Sequence, residues 1–187
     1  MIVGLGNPGD EYAATRHNIG FEILDAFSQK NNFGPWVNKK DLKCELTQQT
    51  LNDTRVILIK PTTFMNLSGE AVQAAAHFYK VSTDTIIVVH DELDVNFGQI
   101  RTRLGGSSAG HNGIKSVTSL IGETYGRMRV GIGPKKPDQI DSADFVLQKF
   151  SQEESKHLPA LIQETNSLLS EYAYGTKIAA ETRSFII

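Results

Sequence analysis

The chain has little of what marks disulfide-rich or membrane proteins. Its 187 residues include one cysteine, Cys44, so an internal disulfide is excluded. No apolar run reaches the roughly 18 to 20 residues that a membrane-spanning helix needs. The first residues do not show the basic stretch and apolar segment of a secretory signal. We therefore expect a cytoplasmic protein with no membrane role.

The sequence also lacks a strong excess of charge of either sign. Its formal net charge is −2, which argues against a protein that coats nucleic acid over its whole surface. Basic residues are nevertheless concentrated between residues 97 and 139, where only Glu123 and Asp138 are acidic. They are Arg101, Arg103, Lys115, Arg127, Arg129, Lys135 and Lys136. This cluster fits either scattered cations on solvated loops or a face that binds phosphates.

No repeat or low-complexity tract divides the chain, and its length favours a single domain over residues 1–187. Apolar periodicity and turn residues predict strands at residues 1–5, 41–49, 54–59, 86–89, 98–104 and 129–132. The same patterns predict helices from Tyr12 to Phe27, from a capping Ser68 to about Phe78, around Ile114 to Leu120, and over residues 151–175.

These elements predict an α/β fold. The apolar run at residues 86–89 is typical of a parallel strand that is buried on both faces. The segments on either side of Leu51, Asn52 and Asp53 alternate like an antiparallel hairpin, which Pro61 ends. We therefore expect one three-layer domain in which a mixed, partly parallel, twisted sheet carries helices on both faces.

Polar residues follow the predicted buried strands, where ligands gather in open α/β sheets. Asn7 comes directly after the first strand, and Asp91 directly after the apolar strand in mid-chain. His17 lies about two to three helical turns beyond Asn7. Asn66 follows the hairpin, and Asn112 follows a Gly/Ser-rich loop. These residues are predicted to converge on one end of the sheet.

A histidine beside an aspartate makes a general base, because the carboxylate fixes the imidazole tautomer and stabilises the imidazolium. Histidine suits this work near neutral pH. Taken alone, His17 also fits an ordinary helix-surface residue and Asp91 a strand-end cap. Spacing by itself does not prove that the two side chains meet.

Five blocks of sequence add a specific resemblance. They are GLGNPG with Tyr12 in residues 4–12, TRHNIGF in 15–21, KPTTFMNLSG in 60–69, HDELD in 90–94, and residues 105–113, which close with His111, Asn112 and Gly113. Together and in this order they resemble the signature segments of the bacterial peptidyl-tRNA hydrolase family. The resemblance runs from Ile2 to about Phe150 and departs at Pro134, Lys135 and Lys136, where the family often has Arg-Pro.

The resemblance implies a cofactor-free esterase that cuts the bond between a peptide and tRNA. In this role His17 would activate the attacking water and Asp91 would orient His17. Asn7 and Asn66 would position the substrate and stabilise developing charge. No metal is implied. The implied partner is peptidyl-tRNA, bound by a monomer.

The resemblance also implies two sets of binding residues. Those that would contact the peptide side of the substrate are Tyr12, Met65, Asn66, His111 and Asn112. Those that would hold tRNA phosphates are Arg101, Arg103 and Arg129. The second set favours the phosphate-binding interpretation of the basic cluster.

Other motifs point elsewhere but lack their context. GLGNPG satisfies the G-x-G-x-x-G pattern of dinucleotide-binding oxidoreductases, yet no strand ending in an acidic residue follows the predicted helix. Residues 106–110 match the G-x-S-x-G nucleophile pattern around Ser108, but the downstream histidine would have to be His157, inside a predicted amphipathic helix.

Two further alternatives come from the candidate site itself. His90, Asp91, Glu92 and His111 could suggest a metal site, but adjacent strand residues point to opposite faces and no two-histidine helix motif is present. A catalytically silent RNA-binding module is the alternative from another functional class. The intact set of candidate catalytic residues counts against it.

Overall fold

The computed structural model describes residues 1–135, 137, 139–175 and 178–184. Its strands are β1 Ile2–Gly4, β2 Val37–Lys39, β3 Cys44–Leu51, β4 Thr54–Pro61, β5 Ile87–Asn96, β6 Gln99–Leu104, β7 Gly126–Gly133 and β8 Glu181–Ser184. Its helices are α1 Ile19–Lys30, α2 Ser68–Tyr79, α3 Asn112–Ile121, α4 Ser142–Val146 and α5 Gln152–Ala173. In the described part of the chain, no helix combines the length and apolar content needed to cross a bilayer.

All these strands form one mixed sheet in the order β2-β3-β4-β1-β5-β7-β6-β8. Strands β4, β1, β5 and β7 run parallel in its centre. The outer strands on both sides are antiparallel to their neighbours. The predicted mixed sheet is thus confirmed.

Alternate residues of the central strands point to opposite faces and build two apolar clusters. Leu58 and Val89 pack with α1 and α5 on one face. Ile59 and Val88 pack with α2 and α3 on the other face. The predicted three layers, with helices on both faces of the sheet, are therefore confirmed.

The predicted hairpin between β3 and β4 is present, but it turns at Asn52 and Asp53 alone, because Leu51, expected in the turn, is the last residue of β3. Both residues have positive φ angles, 45° and 64°, which suit a tight turn between right-handedly twisted strands. The register pairs Leu51 with Thr54 and Cys44 with Pro61. Residues 41–43, expected in the strand, instead belong to a short 3-10 turn and the residue after it.

The helix predicted from Tyr12 to Phe27 is shorter than expected. Two 3-10 turns, Asp10–Tyr12 and Arg16–Asn18, precede α1. Ala14, between them, has a φ of 59°, in the left-handed region that an α-helix cannot include. His17 consequently lies in a turn before the helix and not on a helix surface.

Two glycines bring this turn close to β1. Gly4 and Gly20 lie against the backbone at the junction of β1 and α1, and a Cβ at either position would overlap it. The start of α1 therefore packs directly on the end of β1. This close approach places Arg16–Asn18 beside the loop that contains Asn7.

Three other predictions need correction. Strand β5 does not end before Asp91, because His90, Asp91 and Glu92 continue to pair with β7. Ser68 does not cap α2, since its hydroxyl donates to the Met65 carbonyl. Phe78, placed on the apolar face of α2, is 64% exposed.

The sequence patterns did not predict β2, α4 and β8. These elements have three to five residues each, too few to show a clear hydrophobic period. The long helix was placed correctly, and α5 begins with a capping box formed by Ser151 and Glu154.

Candidate active site

The site lies where β1 ends and its neighbour β5 continues. Strand β1 pairs with β5 only as far as Gly4 and Val89. Asp91 therefore projects from a strand that extends past the end of β1, level with the loop that holds Asn7. The predicted convergence at the carboxyl end of the parallel strands is what the structure shows for these two residues.

Asn7 is held by both its main chain and its side chain. The Asn18 side-chain amide pairs with the Asn7 backbone, accepting from its N–H and donating to its carbonyl, each at 2.9 Å. The Asn7 Oδ1 accepts from the Met65 N–H at 2.8 Å. The amide orientation is thereby fixed, and within the described residues no protein group accepts from Asn7 Nδ2.

The turn Arg16–Asn18 contains three consecutive buried polar residues that point to different partners. Asn18 pairs with Asn7, as described above. His17, 9% exposed, brings its Nδ1 to 2.9 Å from Asp91 Oδ1. Arg16 contacts the chain near the start of α5. The predicted meeting of His17 and Asp91 is thus present in the structure.

Asp91 is 2% exposed, and two imidazoles contact the same oxygen of its carboxylate. Its Oδ1 lies 2.9 Å from His17 Nδ1 and 3.0 Å from His111 Nε2. Burial acts to raise the pKa of the Asp91 carboxyl, but the adjacent His17 and His111 lower that pKa by more, to well below its ordinary value. Asp91 is therefore a carboxylate near neutral pH, and both imidazoles donate an N–H to it.

The second nitrogen of each imidazole differs in its surroundings. His111 Nδ1 accepts from the backbone N–H groups of Gly113 and Ile114, at 3.1 and 3.3 Å, and so caps α3. A nitrogen that faces two donors cannot carry a proton. His17 Nε2 has no protein donor or acceptor among the described residues. Of these two rings, only His17 has a lone pair that is free to take a proton.

A third imidazole, His90, packs behind His111. Its ring is perpendicular to that of His111 with centroids 4.8 Å apart, and its Nδ1 donates to the Asp91 carbonyl at 2.7 Å. Burial, and next the electrostatic effect of the neighbouring His111, lower the pKa of His90 well below its ordinary value. His90 therefore stays neutral behind the site.

The predicted peptide-side residues lie in the segments that build the site or next to them in sequence. Asn66 and Asn112 are exposed, and each follows a residue that is bonded to the site, Met65 to Asn7 and His111 to Asp91. Tyr12 is half-buried, with its ring edge-on to that of Phe64 at 6.3 Å. His111 uses both ring nitrogens within the protein, so a peptide can meet only its carbon atoms. The roles of these residues stay predictions.

The three predicted phosphate-binding arginines share one face of the sheet. The register pairs Arg101 with Arg129, and both line a cavity of about 610 Å³ together with Arg103. Burial and the nearby Arg103 and Arg101 lower the pKa of Arg129, against the opposing attraction of Glu92. Positive charge is crowded here, which favours an anion.

The rest of the basic cluster is not a continuous surface. Arg127 is 1% exposed and donates to the Ser107 carbonyl. Lys135 donates to the Ile140 carbonyl. Lys136 and Asp138 lie outside the described residues. Lys115 is exposed on α3. Among the described members of the predicted cluster, Arg101, Arg103 and Arg129 are those that line one cavity together.

The sequence did not predict Arg16 and Asn18 as parts of this site, and it indicated His90 only through the metal-site alternative. All three are buried polar side chains whose partners are distant in sequence or on the backbone. Arg16 and Asn18 fall inside a recognised block, but nothing in their spacing indicated that they are buried. Only the three-dimensional contacts reveal them.

Comparisons with known proteins show which family the chain belongs to. The sequence profile of the family described as peptidyl-tRNA hydrolase matches residues 1–185. A peptidyl-tRNA hydrolase of Wolbachia pipientis wMel is 48% identical over 151 residues, 81% of each chain. One of Campylobacter concisus is 46% identical over 172 residues, 91% of this chain and 87% of that protein.

A solved structure supports the same assignment. The crystal structure of peptidyl-tRNA hydrolase from Acinetobacter baumannii superposes with a TM-score of 0.85 at 35% identity, covering 93% of this chain and 88% of that one. Fold, sequence profile and relatives thus agree over nearly the whole length. The chain belongs to the peptidyl-tRNA hydrolase family.

Proposed function

We propose that this protein hydrolyses the ester bond between tRNA and the peptide, or N-blocked amino acid, that it carries. His17 is the general base and Asp91 its orienting partner. The observation that carries this proposal is the pair of hydrogen bonds on Asp91 Oδ1. Because the Nδ1 proton of His17 is held by the carboxylate, its Nε2 is left as the proton acceptor.

The reaction follows from these positions. His17 Nε2 takes a proton from water as the water oxygen attacks the ester carbonyl carbon. The Asn7 amide N–H groups, free of protein acceptors in the described part of the chain, stabilise the negative charge on the carbonyl oxygen. The carbon–oxygen bond to the ribose then breaks, and His17 returns its proton to the ribose oxygen. The products are a peptide acid and tRNA.

Substrate binding uses the two sides of this centre. Asn66, Asn112, Tyr12, Met65 and the carbon edge of His111 contact the peptide side. Arg101, Arg103 and Arg129 contact phosphates of the tRNA acceptor stem through charge, with little reading of bases. The crowding of positive charge around Arg129 supports this second assignment.

The reaction is proposed to need no metal or other cofactor. His17, Asp91 and His111 do place one potential ligand atom each within 4.8 Å of the others. A metal at His111 Nε2 would displace the proton there, however, and Nδ1 cannot take that proton while it faces two backbone N–H groups. The chemistry of this donor set therefore disfavours a metal.

The organisation of the molecule is part of the same proposal. One continuous sheet with apolar clusters on both faces supports a single domain over residues 1–187. The large exposed apolar side chains are dispersed among several elements, which supports a monomer. A tRNA substrate places the protein in the cytoplasm.

The direct test is release of tRNA from N-acetylated aminoacyl-tRNA by the pure protein in the presence of EDTA. We expect turnover that EDTA does not reduce, and loss of turnover in His17→Ala with folding verified by circular dichroism. tRNA binding without release by the wild-type protein would instead support the silent RNA-binding module. Loss of activity in EDTA that a divalent ion restores would contradict the metal-free mechanism.

A further inference from the structure

Arg16, the residue before the proposed base, is buried and tightly held. It is 5% exposed. Its Nη2 donates to Glu154 Oε2 at 2.6 Å, and its Nη1 donates to the Lys149 carbonyl at 2.8 Å. The guanidinium carbon lies 4.2 Å from the centre of the Phe145 ring. Burying a charged side chain is costly unless it is paired in this way.

The partners of Arg16 all lie in residues 145–154, more than 120 positions along the chain. Its backbone N–H also donates to the Gln148 carbonyl at 3.0 Å, and Thr15 forms a bridge with Lys149. Main chain and side chain are thus both tied to one segment. This segment runs from α4 to the first turn of α5.

The segment is itself fixed at the start of α5. Glu154 Oε2, which accepts from Arg16, also accepts from the Ser151 N–H at 2.6 Å. Ser151 Oγ in turn accepts from the Glu154 N–H at 3.2 Å. The same carboxylate oxygen therefore caps the helix and holds the guanidinium, so the position of Arg16 is set by a rigid helix end.

We propose that Arg16 is a positioning residue of the active site, which holds His17 against Asp91 by tying the turn Arg16–Asn18 to residues 145–154. The turn has three residues, and its other end is held by the Asn18–Asn7 pair. His17 lies between these two anchors. This inference rests on the proposed role of His17 as the base.

A lysine cannot replace Arg16 in this arrangement. The guanidinium donates to a carboxylate and a carbonyl in different directions while its face lies on an aromatic ring, whereas an ammonium is a point charge. Arg16→Lys therefore keeps the positive charge but loses the fixed set of contacts that the guanidinium makes. Displacement of a catalytic group by about 1 Å costs up to about 10²-fold in rate.

The test compares Arg16→Lys with Arg183→Lys. Arg183 makes an equally forked pair with Glu171, at 3.1 and 3.0 Å, far along α5 from Glu154. We expect Arg16→Lys to lower kcat for N-acetylated aminoacyl-tRNA by about 10-fold to 100-fold with KM unchanged. Arg183→Lys should match the wild-type protein in both constants.

The histidine ¹⁵N and ¹H NMR signals separate positioning from general damage. His17 and His111 donate to the same Asp91 oxygen, so a general disturbance of the site moves both signals. Positioning by Arg16 predicts that Arg16→Lys shifts the His17 Nδ1–H signal and leaves the His111 Nε2–H signal in place. If both signals move together, or KM alone rises, the proposal is overturned.

A second pair of variants leaves Arg16 intact. Glu154→Gln removes the charge that holds the guanidinium, and Glu153→Gln makes the same change next to it on an exposed side chain that pairs with Lys156. We expect a lower kcat and a shifted His17 signal only in Glu154→Gln. Wild-type kcat in both Arg16→Lys and Glu154→Gln, beside an inactive His17→Ala, would refute this inference alone. An active His17→Ala would refute the proposed function as well.

Discussion

Replacing Asp91 with asparagine separates the charge of the carboxylate from its hydrogen bonds. Asp91 Oδ1 accepts from His17 and His111, and an amide oxygen at the same place still accepts from both. The opposite amide orientation would set NH2 against two N–H donors, which is disfavoured. Asp91→Asn therefore preserves the imidazole tautomers and removes the negative charge.

The cost of losing this charge follows from the geometry. The His17 and Asp91 atoms in contact are 2.9 Å apart. With the charges of imidazolium and carboxylate centred about 4 Å apart and an effective dielectric constant of about 20, their attraction is about 4 kcal/mol. If about half of the proton has moved in the transition state, about 2 kcal/mol is expressed, or roughly 30-fold in kcat.

The assay is single-turnover hydrolysis of N-acetylated aminoacyl-tRNA, compared with His17→Ala and with Asp84→Asn. His17→Ala removes the base and should cost roughly 10²-fold or more. Asp84 is exposed and lies just before β5, at the opposite end of that strand, so Asp84→Asn should have no effect. The double variant His17→Ala/Asp91→Asn should be little slower than His17→Ala alone, because the two groups act as a unit.

Two results would refute this reasoning. A wild-type rate in Asp91→Asn would show that the carboxylate charge does not stabilise the transition state. Additive losses in the double variant would show that His17 and Asp91 act independently. Either result would remove Asp91 from its proposed role while leaving the fold and family unaffected.

Three further predictions concern binding and stability. Arg103→Ala should raise KM for tRNA substrates and reduce the salt dependence of binding by about one unit of slope. Arg55→Ala, on the exposed hairpin, should change neither quantity. An unchanged KM at low and moderate salt would exclude Arg103 from the phosphate-binding residues. Asn66 and Asn112 should favour a substrate whose α-amine is blocked, since the ammonium of a free α-amine is costly to desolvate, so kcat/KM should be far lower for free aminoacyl-tRNA. Equal kcat/KM values for the blocked and free substrates would contradict this. In the folded protein the pKa of His90 lies well below its ordinary value of 6.5. Below pH 6.5 the unfolded chain therefore binds a proton at His90 that the folded protein does not bind. The free energy of unfolding should fall on acidification by up to about 1.4 kcal/mol per pH unit. His90→Gln should remove that part of the slope in urea titrations at pH 5 to 7, and an unchanged slope would refute it.

Local signals predicted the parts of the fold that depend on short stretches of sequence. The hairpin turn around Asn52 and Asp53 and the buried strand that starts near Ile86 each have a local chemical cause. The rule that ligands gather at the carboxyl ends of parallel strands placed Asn7 and Asp91 together. His17 was also expected at this end of the sheet, and the resemblance to a known family gave it the role of the base.

Long-range contacts explain what the sequence did not predict. Ala14 adopts a positive φ that breaks the expected helix, although alanine favours helices. Asp91 stays within β5 because β7 continues to pair with it. Arg16 is buried because residues 145–154 fold over it. The partners of Asp91 and Arg16 lie far along the chain, and nothing in the residues around Ala14 predicts its positive φ.

The choice of base between two similar histidines is the clearest of these long-range effects. His17 and His111 touch the same carboxylate oxygen at nearly the same distance, 2.9 and 3.0 Å. What distinguishes them is the backbone at the start of α3, whose N–H groups occupy His111 Nδ1. The same amides that are satisfied by this cap thereby occupy the lone pair of His111 Nδ1 and direct its Nε2–H to Asp91. Since the pKa of Asp91 lies well below its ordinary value, the carboxylate does not take the proton from His17 during turnover, and the proton that His17 Nε2 removes from water remains available for the leaving ribose oxygen.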